Sequence, residues 1–226
     1  MTTIPEEKNV RLRIALSIVL VILIIDQCSK LWIKTHLFPG EEIRIFDWFI
    51  IHFTENNGMA FGFEFGGAAG KTFLSVFRIV ASFGIGYYLY TLIRRRAHYG
   101  LIVCFSLIFA GAVGNIIDST FYGMIFSDDM HGLATLFPEE GGYSRFLHGQ
   151  VVDMLYFPII NSHFPSWFPF VGGDSFQFFR PIFNIADSSI TVGVFIFVLF
   201  QRKFTTKGLK TTQDNHEPES LSSVQN

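Results

Sequence analysis

Charged side chains are scarce in this chain: Asp, Glu, Lys and Arg together make up 16% of its 226 residues. A soluble domain carries about 25%, so a water-facing surface on every side is excluded. No stretch of Lys and Arg is interleaved with aromatics, which argues against nucleic acid as a partner. Cysteine is nearly absent. Cys28 and Cys104 lie far apart in apolar stretches with no CxxC or Cys/His spacing. They read as two core thiols, and neither a disulfide framework nor a zinc site is implied. The serine elbow Gly-x-Ser-x-Gly and the metal motif His-Glu-x-x-His are both missing. The seven histidines are scattered and read as ordinary surface or interfacial residues, and no internal repeat is apparent.

What the chain has in quantity is apolar surface. Half of its residues are hydrophobic, 28 are Phe, and the mean hydropathy is +0.38. That composition fits a polytopic membrane protein. Uncharged runs predict four membrane-crossing helices at about 11–32, 72–93, 100–118 and 184–201, each near the ~20 residues a bilayer requires. The first could be confused with a secretory signal. However, no small-x-small cleavage site follows it, and Asp26-Gln27 before Cys28 is wrong for a lipid-modified cysteine.

Between the spans the character changes. Residues 36–70 show strand-like alternation at Ile43-Arg44-Ile45-Phe46 and turn-prone glycines. Residues 119–183 form a long outer loop rich in Gly, Pro and aromatics, and Gly172-Gly173-Asp174 within it reads as a turn. The expected architecture is a mainly α membrane protein: four transmembrane helices, a small extramembrane β-cradle and a long outer loop. One domain covers 1–203, and 204–226 read as a polar, disordered tail.

Four spans put both termini on one side. That side takes ten Lys and Arg: Lys8, Arg11 and Arg13, then Arg94, Arg95 and Arg96, then Arg202, Lys203, Lys207 and Lys210. The remaining seven are spread thinly over the longer opposite segments, so the positive-inside rule sets both termini in the cytoplasm. With this orientation the ionisable groups of the spans fall in one layer. Asp26 and Lys30 close the first helix, Arg78 opens the second, Asp118 closes the third and Asp187 opens the fourth. Lys30 and Arg78 fit snorkelling cations as well as site residues. The three acids are harder to dismiss, because an Asp near the bilayer centre costs ~2.5–3.5 kcal/mol and is usually paired.

A further carboxylate, Asp153, sits in Gly149-Gln150-Val151-Val152-Asp153-Met154-Leu155, whose apolar neighbours predict a segment returning to the membrane surface. Two carboxylates sharing one proton suit aspartic proteolysis: the ionised one activates water and the protonated one polarises the scissile carbonyl. A small ion- or proton-coupled transporter is the rival reading, since intramembrane acids with Lys and Arg also suit a relay. The charge-free inner halves of the spans disfavour it. A non-catalytic scaffold would leave the acids unexplained.

Five ordered motifs carry a resemblance. They are Asp26-Gln27-Cys28-Ser29-Lys30, Asn56-Asn57-Gly58-Met59-Ala60-Phe61, Gly111-Ala112-Val113-Gly114-Asn115-Ile116-Ile117-Asp118, Val151-Val152-Asp153 and Phe183-Asn184-Ile185-Ala186-Asp187-Ser188. In this order the chain resembles the lipoprotein signal peptidases, or signal peptidase II. The resemblance implies an aspartic endopeptidase of the bacterial cytoplasmic membrane, with its active site near the outer face. Such an enzyme cuts signal peptides from prolipoproteins just before a diacylglyceryl-cysteine. It implies no metal and no cofactor, a monomer among membrane lipid, and sensitivity to globomycin-type inhibitors. By motif, Asp153 and Asp187 would be the catalytic pair. Asp26, Lys30, Asn57, Gly58, Asn115, Asp118, Asn184 and Ala186 would bind substrate or brace the site. The family's β-cradle would correspond to roughly 42–65.

For Asn56 a plain turn role competes with substrate contact. Gly111 and Gly114 suit close helix packing. Two departures from the family stand out. Ser119 replaces the usual Arg, which leaves Arg78, Lys30 or Arg145 to pair with Asp118, and Phe121 to Leu147 lengthen the outer loop.

Overall fold

A computed structural model describes residues 4–56, 67–128, 132–163, 165–168, 173, 175–178 and 181–213. The elements run α1 (Ile4–His36), β1 (Glu42–Phe46), β2 (Phe49–Asn56), α2 (Gly67–Arg94) and α3 (Tyr99–Ile117). A π-helical turn (Asp118–Tyr122) and the short α4 (Gly123–Ile125) follow. The chain continues through β3 (Val151–Tyr156), β4 (Ile160–His163), β5 (Ser175–Phe178) and β6 (Ile182–Phe183), and ends in α5 (Ile185–Gln213).

The four expected spans are present as helices long and apolar enough to cross a membrane: Glu6–His36, Gly70–Arg94, Tyr99–Ile125 and Ile185–Phe204. Each helix outruns the apolar stretch that announced it, because backbone hydrogen bonding continues into polar flanks where hydropathy stops. α5 in particular runs on to Gln213, past the Gln201 boundary of the apolar run. Large apolar side chains point outward along the spans, Phe83 being 77% exposed and Phe195 63%. In a bilayer that surface meets lipid tails rather than water. The same logic corrects one thiol: Cys104 is buried, but Cys28 is exposed on the outside of α1. An apolar neighbourhood in a membrane helix does not imply a core position.

The outer segments build more sheet than alternation suggested. β1, β2, β3 and β6 form one antiparallel sheet in that order, and β4 pairs with β5 separately. β1 and β2 fall in the expected cradle. β3, by contrast, comes from the segment read as a loop returning to the membrane. Val151 to Met154 are buried on both faces of the strand. A strand covered on both sides reads as a continuous apolar run and gives no period-two signal. Its register against β2 places Asp153 opposite Thr54, Glu55 opposite Val152 and Asn56 opposite Val151. β6 pairs Phe183 with Leu155, which sets Asn184 and α5 beside the strand that carries Asp153. Gly173 has φ +89°, as a turn glycine would.

Candidate active site

Asn184 is where the parts meet. It precedes α5, and its Oδ1 accepts the Asp187 backbone N–H at 2.9 Å, the N-cap arrangement that satisfies an otherwise orphaned helix donor. With the oxygen committed to the cap, the Nδ2 end must face the other way. It donates to Asp153 Oδ1 at 2.7 Å and to Asn115 Oδ1 at 3.2 Å. Asn115 is oriented in turn by Lys30, whose Nζ donates to the same Oδ1 at 3.1 Å. Its Nδ2 is thereby aimed at Asp187 Oδ1, 2.7 Å away. Two carboxylates from separate elements thus hang on two linked amides, neither of which is free to flip.

The carboxylates differ in setting. Asp153 is buried in the middle of β3. Burial pushes its carboxyl up to about 7, the neighbouring Asp187 adds to the rise, and hydrogen bonds from Asn56 and Asn184 oppose it. Asp187 lies partly open in the first turn of α5, where the positive end of the helix dipole favours an anion. Asp153 is thus inclined to hold a proton near neutral pH.

Behind the pair lies a buried ionic layer. Lys30 Nζ sits 2.9 Å from Asp26 Oδ2 and 2.7 Å from Asp118 Oδ2, all three side chains being fully buried. Lys30 therefore does not snorkel, and it supplies the partner that Asp118 needs with Ser119 in place of the usual Arg. Asp26 Oδ1 also accepts the Ala186 N–H at 2.9 Å, so α1 caps a second orphan donor of α5. Gln27 ties the layer together. Its Nε2 donates to Asp26 Oδ2 at 3.0 Å and Asp118 Oδ1 at 2.9 Å, while its Oε1 accepts from Tyr122 at 3.2 Å. Arg78 crosses from α2, and its guanidinium reaches Ser119 Oγ at 3.5 Å.

Close packing is what lets α3 and α5 share this site. A Cβ on Gly114 would stand 2.7 Å from Asp26 Oδ2, and one on Gly111 would stand 2.2 Å from the Ala186 carbonyl oxygen. Both glycines are needed for the approach.

Of the sequence-predicted residues, Asp26, Lys30, Asn115, Asp118, Asp153, Asn184, Ala186 and Asp187 converge in this one network, while Asn57 and Gly58 lie outside the described residues. Two participants were missed, Gln27 and Tyr122, and for Asn56 the sequence leaves the choice between turn and site open. Asn56 is the last residue of β2, not a turn residue, and its Nδ2 lies 3.3 Å from Asp153 Oδ2. The Thr54/Asp153 pairing brings it there, which no local pattern reveals.

Comparisons with known proteins identify the family. The pattern that defines the signal peptidase (SPase) II family matches residues 18–202. A lipoprotein signal peptidase of Porphyromonas gingivalis is 48% identical over 188 residues, spanning 83% of this chain and 82% of that protein. One from Amoebophilus asiaticus is 35% identical over 189 residues, covering 82% and 76%. A bacterial membrane enzyme structure solved in meso at 2.3 Å is 26% identical, with a TM-score of 0.53 over 92% of this chain and 94% of its own. Nothing among these relatives supports a transporter. The chain belongs to the signal peptidase II family, a family of membrane aspartic proteases.

Proposed function

We propose that this protein removes the signal peptide from diacylglyceryl-modified prolipoproteins, with Asp153 and Asp187 as the catalytic pair. The observation that carries the reading is the linked amides Asn115 and Asn184, each fixed by a cap or a cation, each presenting a donor to one carboxylate. Within a signal peptidase II, such a pair is placed for general acid and base work.

Asp187, ionised, takes a proton from a water as its oxygen attacks the scissile carbonyl carbon. Asp153, protonated, gives its proton to the carbonyl oxygen. The resulting gem-diol collapses as the amide nitrogen is protonated, the C–N bond breaks, and the pair returns to one proton between two carboxylates. Only the pair and water are required. Lys30 offsets one of the two charges of Asp26 and Asp118, and the Gln27 amide donates to both carboxylates, so the layer behind the dyad is bridged and held in place. Asp26, Lys30, Asn115, Asp118, Asn184 and Ala186 brace the site. Asn57 and Gly58 are assigned to it by motif alone.

The distribution of Lys and Arg, ten near one set of span ends and seven spread over the other side, supports cytoplasmic termini and a site at the outer membrane face. There a monomer would meet a lipid-modified precursor from the bilayer, and globomycin-type inhibitors would compete with it.

The test is cleavage by the purified, lipid-reconstituted protein of a precursor with and without its diacylglyceryl group. Cleavage of the modified form alone is expected. Equal cleavage of both, or of neither, would contradict the proposed substrate.

A further inference from the structure

Lys34 lies one helical turn beyond Lys30 on α1 and is as deeply buried, yet among the described residues its ion pair is made away from the Lys30 layer. Its Nζ meets Glu55 Oε1 at 2.5 Å, with the lysine side chain fully covered and that of Glu55 10% exposed. Three rings surround the ammonium, with centroids at 5.0 Å for Tyr143, 5.4 Å for Phe126 and 5.9 Å for Phe53. Cation–π attraction of this kind strengthens when the cation is desolvated. Even so, apolar side chains often replace a buried ion pair without loss of stability. The charge is therefore better explained by what it holds than by what it adds to the core.

What it holds is the back of the sheet. Along β2, Phe53 and Glu55 share one face, and Thr54 and Asn56 share the other. Across the ladder Asp153 pairs with Thr54, and Val152 with Glu55. Phe53, Val152 and Met154 pack with Phe126 in the core behind the sheet, so the Lys34 box and the dyad lie on opposite faces. Pinning Glu55 at the rear obliges Asn56 to face front, where its Nδ2 meets Asp153 Oδ2. A slip of one residue would exchange the two. The same box grips β3. The Tyr143 hydroxyl accepts the Gln150 N–H at 2.7 Å just before the strand begins, and the Tyr143 N–H donates to the Phe126 carbonyl at 3.0 Å.

We propose that Lys34 is a positioning residue for the hydrolysis. With Glu55 and the rings of Phe126 and Tyr143 it clamps β2 and β3 from behind, so that Asn56 is delivered to Asp153. This gives the lengthened outer loop a task, since two of the three rings come from it. The proposal rests on Asp153 being a member of the catalytic pair.

The decisive variant is the double replacement K34M/E55L, which removes one charge of each sign and keeps the box apolar. The charges facing Asp153 from other elements, Asp187 of α5, Lys30 of α1 and Arg78 of α2, stay in place. A hydrogen bond to a carboxylate favours its ionised form, so losing Asn56 moves the alkaline limb of the rate profile to higher pH. K34M/E55L is expected to move it the same way, by about one pH unit, and to lower kcat roughly tenfold with KM little changed. N56A should give the same profile, and adding N56A to the double variant should change nothing further.

E55Q guards against a double variant that fails to fold. Removing a negative charge would by field alone move the limb to lower pH, whereas loss of positioning moves it to higher pH. A folded K34M/E55L with the wild-type profile and kcat, effects that multiply with those of N56A, or a downward shift in E55Q would each overturn the proposal. If D153N retained activity, the reading of the dyad would fall instead.

Discussion

At the scale of residues, the site is organised by amides rather than by charges. Asn184 spends its oxygen on capping α5 and its nitrogen on Asp153 and Asn115, and Lys30 sets Asn115 so that its nitrogen meets Asp187. Two neutral side chains thereby orient two acids without adding charge to a poorly solvated place. The raised Asp153 carboxyl predicts the pH dependence. Below about 7 it holds a proton, as the proposed acid role requires, and above that it loses it. The rate should therefore fall as pH rises through about 7. Replacing Asn56 with Ala removes a bond that favours the ionised form, so this limb should move up. The measurement is kcat/KM against pH, and a limb unmoved by N56A would count against Asp153 as the acid. Most of these residues were visible in the motifs. Asn56 stood in a motif, but its contact with Asp153 was not legible, because that contact depends on the register of a strand pair. Gln27 was passed over beside two more conspicuous ionisable neighbours, Asp26 and Lys30.

At the scale of elements, α3 and α5 lie so close that their glycine positions admit no side chain. G114A would press a methyl against Asp26 Oδ2, 2.7 Å away, and against the Ala186 Cβ at 3.2 Å. Overpacking of this kind costs about 1–3 kcal/mol. Here it should also dislodge the Asp26 cap on Ala186. A lower midpoint of thermal unfolding together with lost cleavage is expected, and a variant with wild-type stability and rate would refute the packing argument. The spans were legible because length and hydropathy suffice to announce a membrane helix. β3 was not, since burial on both faces erases alternation. β6, with two residues, is too short to leave any pattern. The π-helical turn at Asp118–Tyr122 likewise has no sequence signature, although it places Tyr122 on Gln27 and Ser119 before Arg78.

At the scale of the whole molecule, the ionisable residues of the candidate site gather at one end of the bundle and large apolar side chains face outward along its length. Thiol labelling tests the proposed orientation. In a background with Cys28 and Cys104 replaced, an impermeant reagent added to intact inner-membrane vesicles of right-side-out orientation should label a cysteine at Glu140 and spare one at Arg95. The reverse pattern would invert the topology.

The central claim concerns the pair at the site itself. Purified D153N and D187N, folded as judged by thermal unfolding, should each cleave a diacylglyceryl-modified precursor about 10²–10⁴-fold more slowly than the native protein. Cleavage by either variant at the native rate would contradict the assignment of Asp153 and Asp187 as the catalytic dyad.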